Sequence, residues 1–292
     1  MHKSGFVNII GKPNVGKSTL MNALLGEKLS IITPKAQTTR HRILGLLNGD
    51  DYQIVFSDTP GVLTPGYKLQ EAMMKAVKST VVDADVFILL TEFDNDFDHP
   101  ELIEQVEAMG VPVLLLINKI DLATQEIVRT KIRHWEERHP RWLVLPVSAL
   151  ENFNLDRVLE KIIELLPESQ PYFSKDDISD RPTRFFVNEI VREKILLNYQ
   201  KEIPYSVEVM VESFEEGDDF SRIRCIIYVS RESQKGIIIG HKGSMLKRVG
   251  TQAREDIEKF TGKKVYLELH VKVNKNWRED ESQLKRFGYL EK

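Results

Sequence analysis

At 292 residues, with 41% hydrophobic and 29% charged side chains, the chain has room for two packed cores and is neither a disordered nor a fibrous polymer. A net charge of -3 excludes a protein that coats nucleic acid by bulk charge, so any such contact has to come from a local patch. The single cysteine, Cys225, sits beside Ile223, Ile226 and Ile227 and reads as core in a reducing, cytosolic compartment; no signal core or bilayer-length apolar run is seen, so export and membrane spanning are not expected.

In chain order, an apolar run at 6–10 meets a glycine-rich loop, and a helix is predicted from Thr19. Further apolar strands are predicted at 53–56, 86–90, 113–117 and 143–146, separated by helical patterns such as 69–82 and 155–165. Alternating strands and helices imply an α/β fold with a doubly wound, mostly parallel sheet over residues 1–168, which binds ligands at the carboxyl ends of its strands. Pro167, Ser169, Pro171 and the polar stretch through Asp176, Asp177, Asp180 and Pro182 read as a linker, 169–182. Beyond it a smaller α+β domain, 183–292, is expected: a helix at 184–200, strands at 205–211 and 222–229, a loop at Gly240, a helix at 244–260 and a strand at 265–273.

Gly11-Lys12-Pro13-Asn14-Val15-Gly16-Lys17-Ser18, between a strand and the helix opening at Thr19, has the spacing and context of a phosphate loop. Its backbone N–H groups wrap phosphates at a helix N-terminus, Lys17 brings positive charge to the β- and γ-phosphates, and the Ser18 hydroxyl ligates Mg²⁺. A bare glycine turn would not explain the motifs at 58–61 and 118–121. Asp58-Thr59-Pro60-Gly61 comes after the strand at 53–56 and offers a carboxylate to the metal and an N–H to the γ-phosphate. Asn118-Lys119-Ile120-Asp121 comes after the strand at 113–117; the Asp121 carboxylate accepts from the N1–H and N2–H₂ edge of guanine, a donor pair adenine lacks, so GTP and GDP rather than ATP are the expected ligands. Ser148-Ala149 is weak alone, and its position suits an N–H contact to guanine O6. The polar segment Gln37-Thr38-Thr39-Arg40-His41-Arg42 lies where a switch loop offers a threonine to the metal, and either Thr38 or Thr39 fills that part. The expected catalytic set is Lys17, Thr39, Asp58 and Gly61, with Val62 unable to orient water by hydrogen bonding.

These elements, in this order, resemble the G domain of the translation-factor-related GTPases, and the string at 35–42 resembles the Era family. In the second domain Gly240-His241-Lys242-Gly243, ahead of a helix, resembles the loop by which type II KH domains clamp a single strand, with Lys247 and Arg248 flanking it. An acidic turn at Glu215, Glu216, Asp218 and Asp219 would repel phosphate, while Trp277, Phe287 and Tyr289 read as pins for the tail more readily than as base-stacking groups. The resemblance spans nearly the whole chain. It implies slow GTP hydrolysis, a potassium ion recruited through Asn14, binding of single-stranded RNA near the 3′ end of 16S rRNA, a part in maturation of the small ribosomal subunit, and peripheral association of a cytoplasmic protein with the inner membrane. A rival from another class is a membrane-recruited or signalling switch whose second domain docks on protein or lipid, and a phosphate-loop kinase is disfavoured by Asn118 and Asp121. Nothing in the sequence calls for more than a monomer.

Overall fold

In the computed structural model, which describes residues 1–290, the chain forms two compact units. The first comprises Met1–Ser30, Thr39–Thr64 and Met73–Asp180. The second comprises Arg181–Lys292 together with two excursions, Ile31–Thr38 and Pro65–Ala72.

The first unit is a six-stranded sheet in the order β2-β3-β1-β4-β5-β6. Its strands are β1 (Lys3–Gly11), β2 (Ile43–Asn48), β3 (Tyr52–Asp58), β4 (Val86–Glu92), β5 (Val113–Asn118) and β6 (Leu143–Pro146). All neighbours run parallel except β2, which pairs antiparallel with β3 at one edge. Every residue of β5 is buried, which is why its sequence reads as a continuous apolar run and not an alternation. The helices are α1 (Lys17–Leu25), α2 (Lys68–Val82), α3 (Pro100–Ala108), α4 (Gln125–Arg138) and α5 (Leu155–Leu165). Local chemistry sets their ends: Gly26, with φ 70°, closes α1, Pro100 opens α3, and the Thr124 hydroxyl caps α4 by accepting from Ile127 N.

The connecting stretch is no free tether. The buried amide of Gln53 accepts from the N–H groups of Tyr172 (2.7 Å) and Phe173 (3.0 Å) and donates to the Phe173 carbonyl (2.9 Å). Leu46 N donates to Ile178 O (3.0 Å) and Ser179 Oγ to Leu44 O (2.5 Å), so residues up to Asp180 are zipped along the exposed edge of β2. Backbone groups that would otherwise solicit a foreign strand are thereby satisfied. Composition identified the stretch as a connection but is blind to a backbone pairing of this kind.

The second unit holds α6 (Thr183–Asn198), α7 (Ile203–Ser206), β7 (Glu208–Glu216), β8 (Phe220–Val229), α8 (Glu232–Ile239), α9 (Ser244–Thr261), β9 (Lys264–Val273) and α10 (Glu281–Arg286). The sheet order is β7-β8-β9, with β7 antiparallel and β9 parallel to β8. Val187, Val191, Ile195, Val249, Ala253 and Ile257, at helical spacing on α6 and α9, are buried against Ile223, Cys225 and Ile227 of β8. The Cys225 thiol is pushed up to about 12 by burial, which makes it inert core.

The strand expected from Tyr205 begins instead as α7, because Pro204 fits the first turn of a helix and Ser206 Oγ bonds back to Ile203 O. The tail aromatics are structural. Trp277 is fully buried with Nε1 donating to Ser206 O (3.1 Å), Phe287 lies 5.3 Å from the Tyr228 ring, and Tyr289 Oη donates to Glu208 Oε2 (2.5 Å).

Candidate functional site

Each nucleotide motif sits where one strand of the parallel sheet ends, and the folds of those loops bring the groups together. Gly16 has φ 102°, and a Cβ there would lie 2.3 Å from Asn118 Nδ2, so only glycine allows the loop to turn against the β5 motif. Asn118, itself buried, donates to Val15 O (2.8 Å) and accepts from Ala149 N (2.9 Å), binding three motifs to one another. Lys119 Nζ reaches Asn14 O (2.9 Å) and pairs with Glu92. The Gly61 backbone passes so close to Pro13 that a Cβ would approach it at 2.7 Å.

Three hard oxygen donors converge beside the phosphate loop. Ser18 Oγ lies 2.7 Å from Asp58 Oδ2 and 2.9 Å from Thr39 Oγ1, and Thr39 Oγ1 lies 3.3 Å from the same carboxylate oxygen. Asp58 is fully buried, and its Oδ1 makes no hydrogen bond. A buried carboxylate oxygen with no partner, next to two hydroxyls, fits a small hard cation such as Mg²⁺. The hydroxyl of the second threonine, Thr38, is engaged elsewhere: it is 2.7 Å from Thr33 Oγ1 and donates to Lys35 O (2.6 Å). Successive side chains of an extended segment point opposite ways, so only one of the pair faces Ser18 and Asp58.

Lys17 is buried, and its Nζ donates to the carbonyls of Gly11 (3.1 Å) and Lys12 (2.8 Å). Burial lowers its pKa to about 8, with Asp58 holding it up in part. Phosphate oxygens reverse that shift on binding, so binding takes up a proton above that pH. Nucleotide affinity should therefore lose this dependence well below pH 8 and fall by about fivefold between pH 8 and pH 9, approaching tenfold per pH unit beyond. Titration calorimetry in buffers of different ionisation enthalpy checks this, and a flat affinity with no proton uptake would refute it.

The β5 and β6 motifs are held together by hydrogen bonds of their own. Asp121 is exposed, and Ser148 Oγ donates to Asp121 Oδ1 (2.6 Å), so the serine serves to orient the carboxylate. The N–H groups of Ser148 and Ala149 are both engaged within the protein, by Phe153 O (3.3 Å) and Asn118 Oδ1. The Ser148 hydroxyl was legible only as part of a common dipeptide. Thr59, Pro60 and Lys12 are placed by neighbours: Thr59 Oγ1 donates to Ile9 O (2.8 Å), Pro60 is buried, and Lys12 Nζ reaches Asn95 Oδ1 (2.9 Å).

In the second unit Gly240 (φ 71°), Lys242 (φ 48°) and Gly243 (φ 77°) turn the backbone tightly between α8 and α9. A Cβ on Gly240 would meet Met245 at 2.7 Å, whereas Gly243 opens to free space. His241 and Lys242 lie in the loop, and Lys247 and Arg248 lie one turn into α9. The N-terminus of this 18-residue helix faces the same loop, and adds its dipole to four cationic or donor side chains. The acidic hairpin is at the start of β8, whereas α8, which leads to the loop, leaves from the strand's other end.

Among family models, residues 6–119 match the one described as 50S ribosome-binding GTPase and residues 202–278 match the KH domain. GTPase Era of Thermoanaerobacter sp. is 44% identical over 99% of this chain and 97% of its own length, and GTPase Era of Syntrophus aciditrophicus is 45% identical over 100% and 96%. Among solved structures, Era in complex with MgGDPNP and nucleotides 1506–1542 of 16S ribosomal RNA superposes with a TM-score of 0.94 at 41% identity, covering 99% of both chains. A variant of Aquifex aeolicus Era bound to GDP and AlF₄⁻ also gives 0.94 at 41% identity, covering 98% of this chain and 99% of that one. With its phosphate loop, guanine motif and KH loop in one continuous match of this extent, the chain belongs to the Era family of GTPases.

Proposed function

We propose that this GTPase binds single-stranded RNA at the 3′ end of 16S rRNA and acts, as a cytoplasmic monomer, in assembly and maturation of the small ribosomal subunit. Peripheral contact with the inner membrane belongs to the same reading and rests on the family resemblance; no helix among the described residues is long and apolar enough to cross a membrane. The observation that carries the proposal is the preformed loop at Gly240–Gly243, glycines and cations at a helix N-terminus, in a chain like a relative bound to 16S nucleotides 1506–1542.

In this reading Ser18, Thr39 and Asp58 hold Mg²⁺, which when bound neutralises charge between the β- and γ-phosphates. Lys17 donates to the phosphate oxygens in place of the Gly11 and Lys12 carbonyls that now occupy it. The Gly61 N–H lies on the γ-phosphate side, and the N–H groups of Gly16 and its neighbours complete an electrostatic cradle for charge that grows as the bond to the γ-phosphorus breaks. Val62, half-buried among apolar side chains, positions no water, so turnover is slow and the GTP state is long-lived. Asp121, set by Ser148, reads guanine.

Gly243→Asp tests the RNA half. Aspartate tolerates the left-handed backbone of this position and finds open space there, so the fold survives while a negative charge enters the phosphate path. Affinity for a labelled RNA of the 1506–1542 sequence should fall by at least about tenfold with GTP hydrolysis kept. Unchanged RNA affinity would instead point to a second unit that docks on protein or lipid.

A further inference from the structure

Two central strands of the first unit's sheet each carry a polar residue where their neighbours are apolar. Asn8 of β1 and Ser57 of β3 are register partners, both fully buried, in strands otherwise filled by Val7, Ile9, Val55 and Phe56. Buried strands of a parallel sheet ordinarily read as unbroken apolar runs, and a polar pair there costs free energy unless it holds something in place. Both residues lead to Asp83. Asn8 Nδ2 donates to Asp83 Oδ1 (2.9 Å) and to the Thr80 carbonyl in the last turn of α2, while its own Oδ1 makes no hydrogen bond. Arg42 closes the circuit, with Nε donating to Ser57 Oγ (2.7 Å) and Nη1 to Asp83 Oδ2 (2.7 Å). All four residues belong to the first unit, and none is part of the motifs at 11–18, 58–61 and 118–121.

The place of Arg42 in the chain gives this circuit its meaning. Residues 31–42 belong to no helix or strand, and β2 begins at Ile43, whose partner across the sheet is Asp58. Arg42 is therefore the last residue of the loop, and its bonds to Ser57 and Asp83 tie down the point at which loop becomes sheet. Thr39 lies three residues upstream, so with Arg42 fixed its reach is at most about 10 Å. Ser18 and Asp58 need no such help, since one lies in α1 and the other in β3, paired with both Ile9 and Ile43. As a contribution to stability the Arg42–Asp83 ion pair is weak, because the Asp83 side chain is 42% exposed. What it adds is a fixed origin for the segment that carries Thr39.

We propose that Arg42, clasped by Asn8, Ser57 and Asp83, is the positioning residue that sets Thr39 at the cation site, and that this clasp raises affinity for the triphosphate over the diphosphate form of the nucleotide. The inference rests on the reading of Ser18, Thr39 and Asp58 as the residues that hold Mg²⁺. Ser18 and Asp58 serve the cation with either nucleotide, whereas Thr39 joins them only when the γ-phosphate is present. Loosening the clasp therefore weakens binding of the triphosphate and leaves the diphosphate alone. Arg42 acts through Thr39 and not on the nucleotide itself.

The test measures the affinity of the full chain for GDPNP and for GDP, each at saturating Mg²⁺, in the wild type, Arg42→Met, Thr39→Ala and the double variant. Arg42→Met should lower GDPNP affinity by about tenfold, as removal of a group that orients a metal ligand does, and keep GDP affinity within about twofold of wild type. Asp83→Ala, at a partly exposed position just after α2, should show the same pattern, and it decides the matter if Arg42→Met does not fold. In the Thr39→Ala background Arg42→Met should change GDPNP affinity by less than about twofold, because the residue it positions is gone. Equal losses for GDPNP and GDP, or a tenfold loss that persists without Thr39, would make the clasp plain scaffold and overturn the proposal. Unchanged affinities in both Arg42→Met and Asp83→Ala overturn it as well and leave the cation site standing. A Thr39→Ala variant that binds GDPNP as the wild type does overturns the reading of Thr39 at the cation, and the proposal with it.

Discussion

Replacing Asp121 by asparagine should lower GTP affinity by on the order of 10³-fold and make xanthosine triphosphate the better ligand. A carboxylate only accepts hydrogen bonds, and guanine presents two donors on its N1–H and N2–H₂ edge. Asparagine presents one acceptor and one donor, so its amide meets the guanine amino group donor to donor. Xanthine carries a carbonyl at that carbon and matches the amide. Ser148, which donates to Asp121 Oδ1 at 2.6 Å, keeps the amide oxygen on its own side and turns the donor toward the base. Competition binding with the two triphosphates measures the switch; retained preference for GTP would show that Asp121 does not read the base.

Asp58→Asn should lower GTP hydrolysis by on the order of 10³-fold without lowering the stability of the nucleotide-free protein. Burial raises the Asp58 carboxyl pKa, and the Ser18 hydrogen bond, the Lys17 charge and Thr39 pull it only part of the way back. A carboxyl whose folded pKa exceeds its unfolded value binds its proton more tightly in the folded chain. Its stabilising contribution is present at low pH and is lost as pH rises from the unfolded value through the folded one. At neutral pH the ionised carboxylate is therefore a cost that a cation relieves, and asparagine mimics the neutral form. The expected signature is an unchanged or higher melting temperature without nucleotide and a smaller gain on adding Mg²⁺ with GDPNP. A variant that melts well below wild type without ligand would make Asp58 a structural residue instead. The same hydrolysis assay in potassium and in sodium salts reads out the monovalent ion expected at Asn14, and equal rates would remove it.

The nucleotide motifs were legible because each is a contiguous turn whose composition is dictated by local backbone demands: glycine where φ is positive at Gly16, a hydroxyl residue at the head of α1, an aspartate where a parallel strand runs out. The KH loop was legible for the same reason, in the glycines at 240 and 243. The edge strand β2 was not, since Gly45 interrupts its apolar run and only pairing with β3 on one side and the 178–179 backbone on the other defines it. The choice between Thr38 and Thr39 was also hidden. Two identical residues in sequence differ only in which way the chain faces when it arrives, and that is decided by Lys35 and Arg192 on one side and Ser18 and Asp58 on the other.

Read alone, the order of residues settles that this chain folds as a nucleotide-binding α/β domain and then a KH domain, that guanine is the base and that the ligand carries phosphates. The nucleotide-binding conclusions depend on periodicity and on turn chemistry within a few residues, and the KH domain on the resemblance carried by the loop at 240–243 and the elements around it. That Ser18, Thr39 and Asp58 converge through their side-chain oxygens, that the Ser148 hydroxyl donates to Asp121, that the connecting stretch is stitched to β2 and that residues 31–38 belong with the second unit are facts of the tertiary structure. Each is a contact between residues tens of positions apart, held by hydrogen bonds whose directions exist only once the strands and helices have packed.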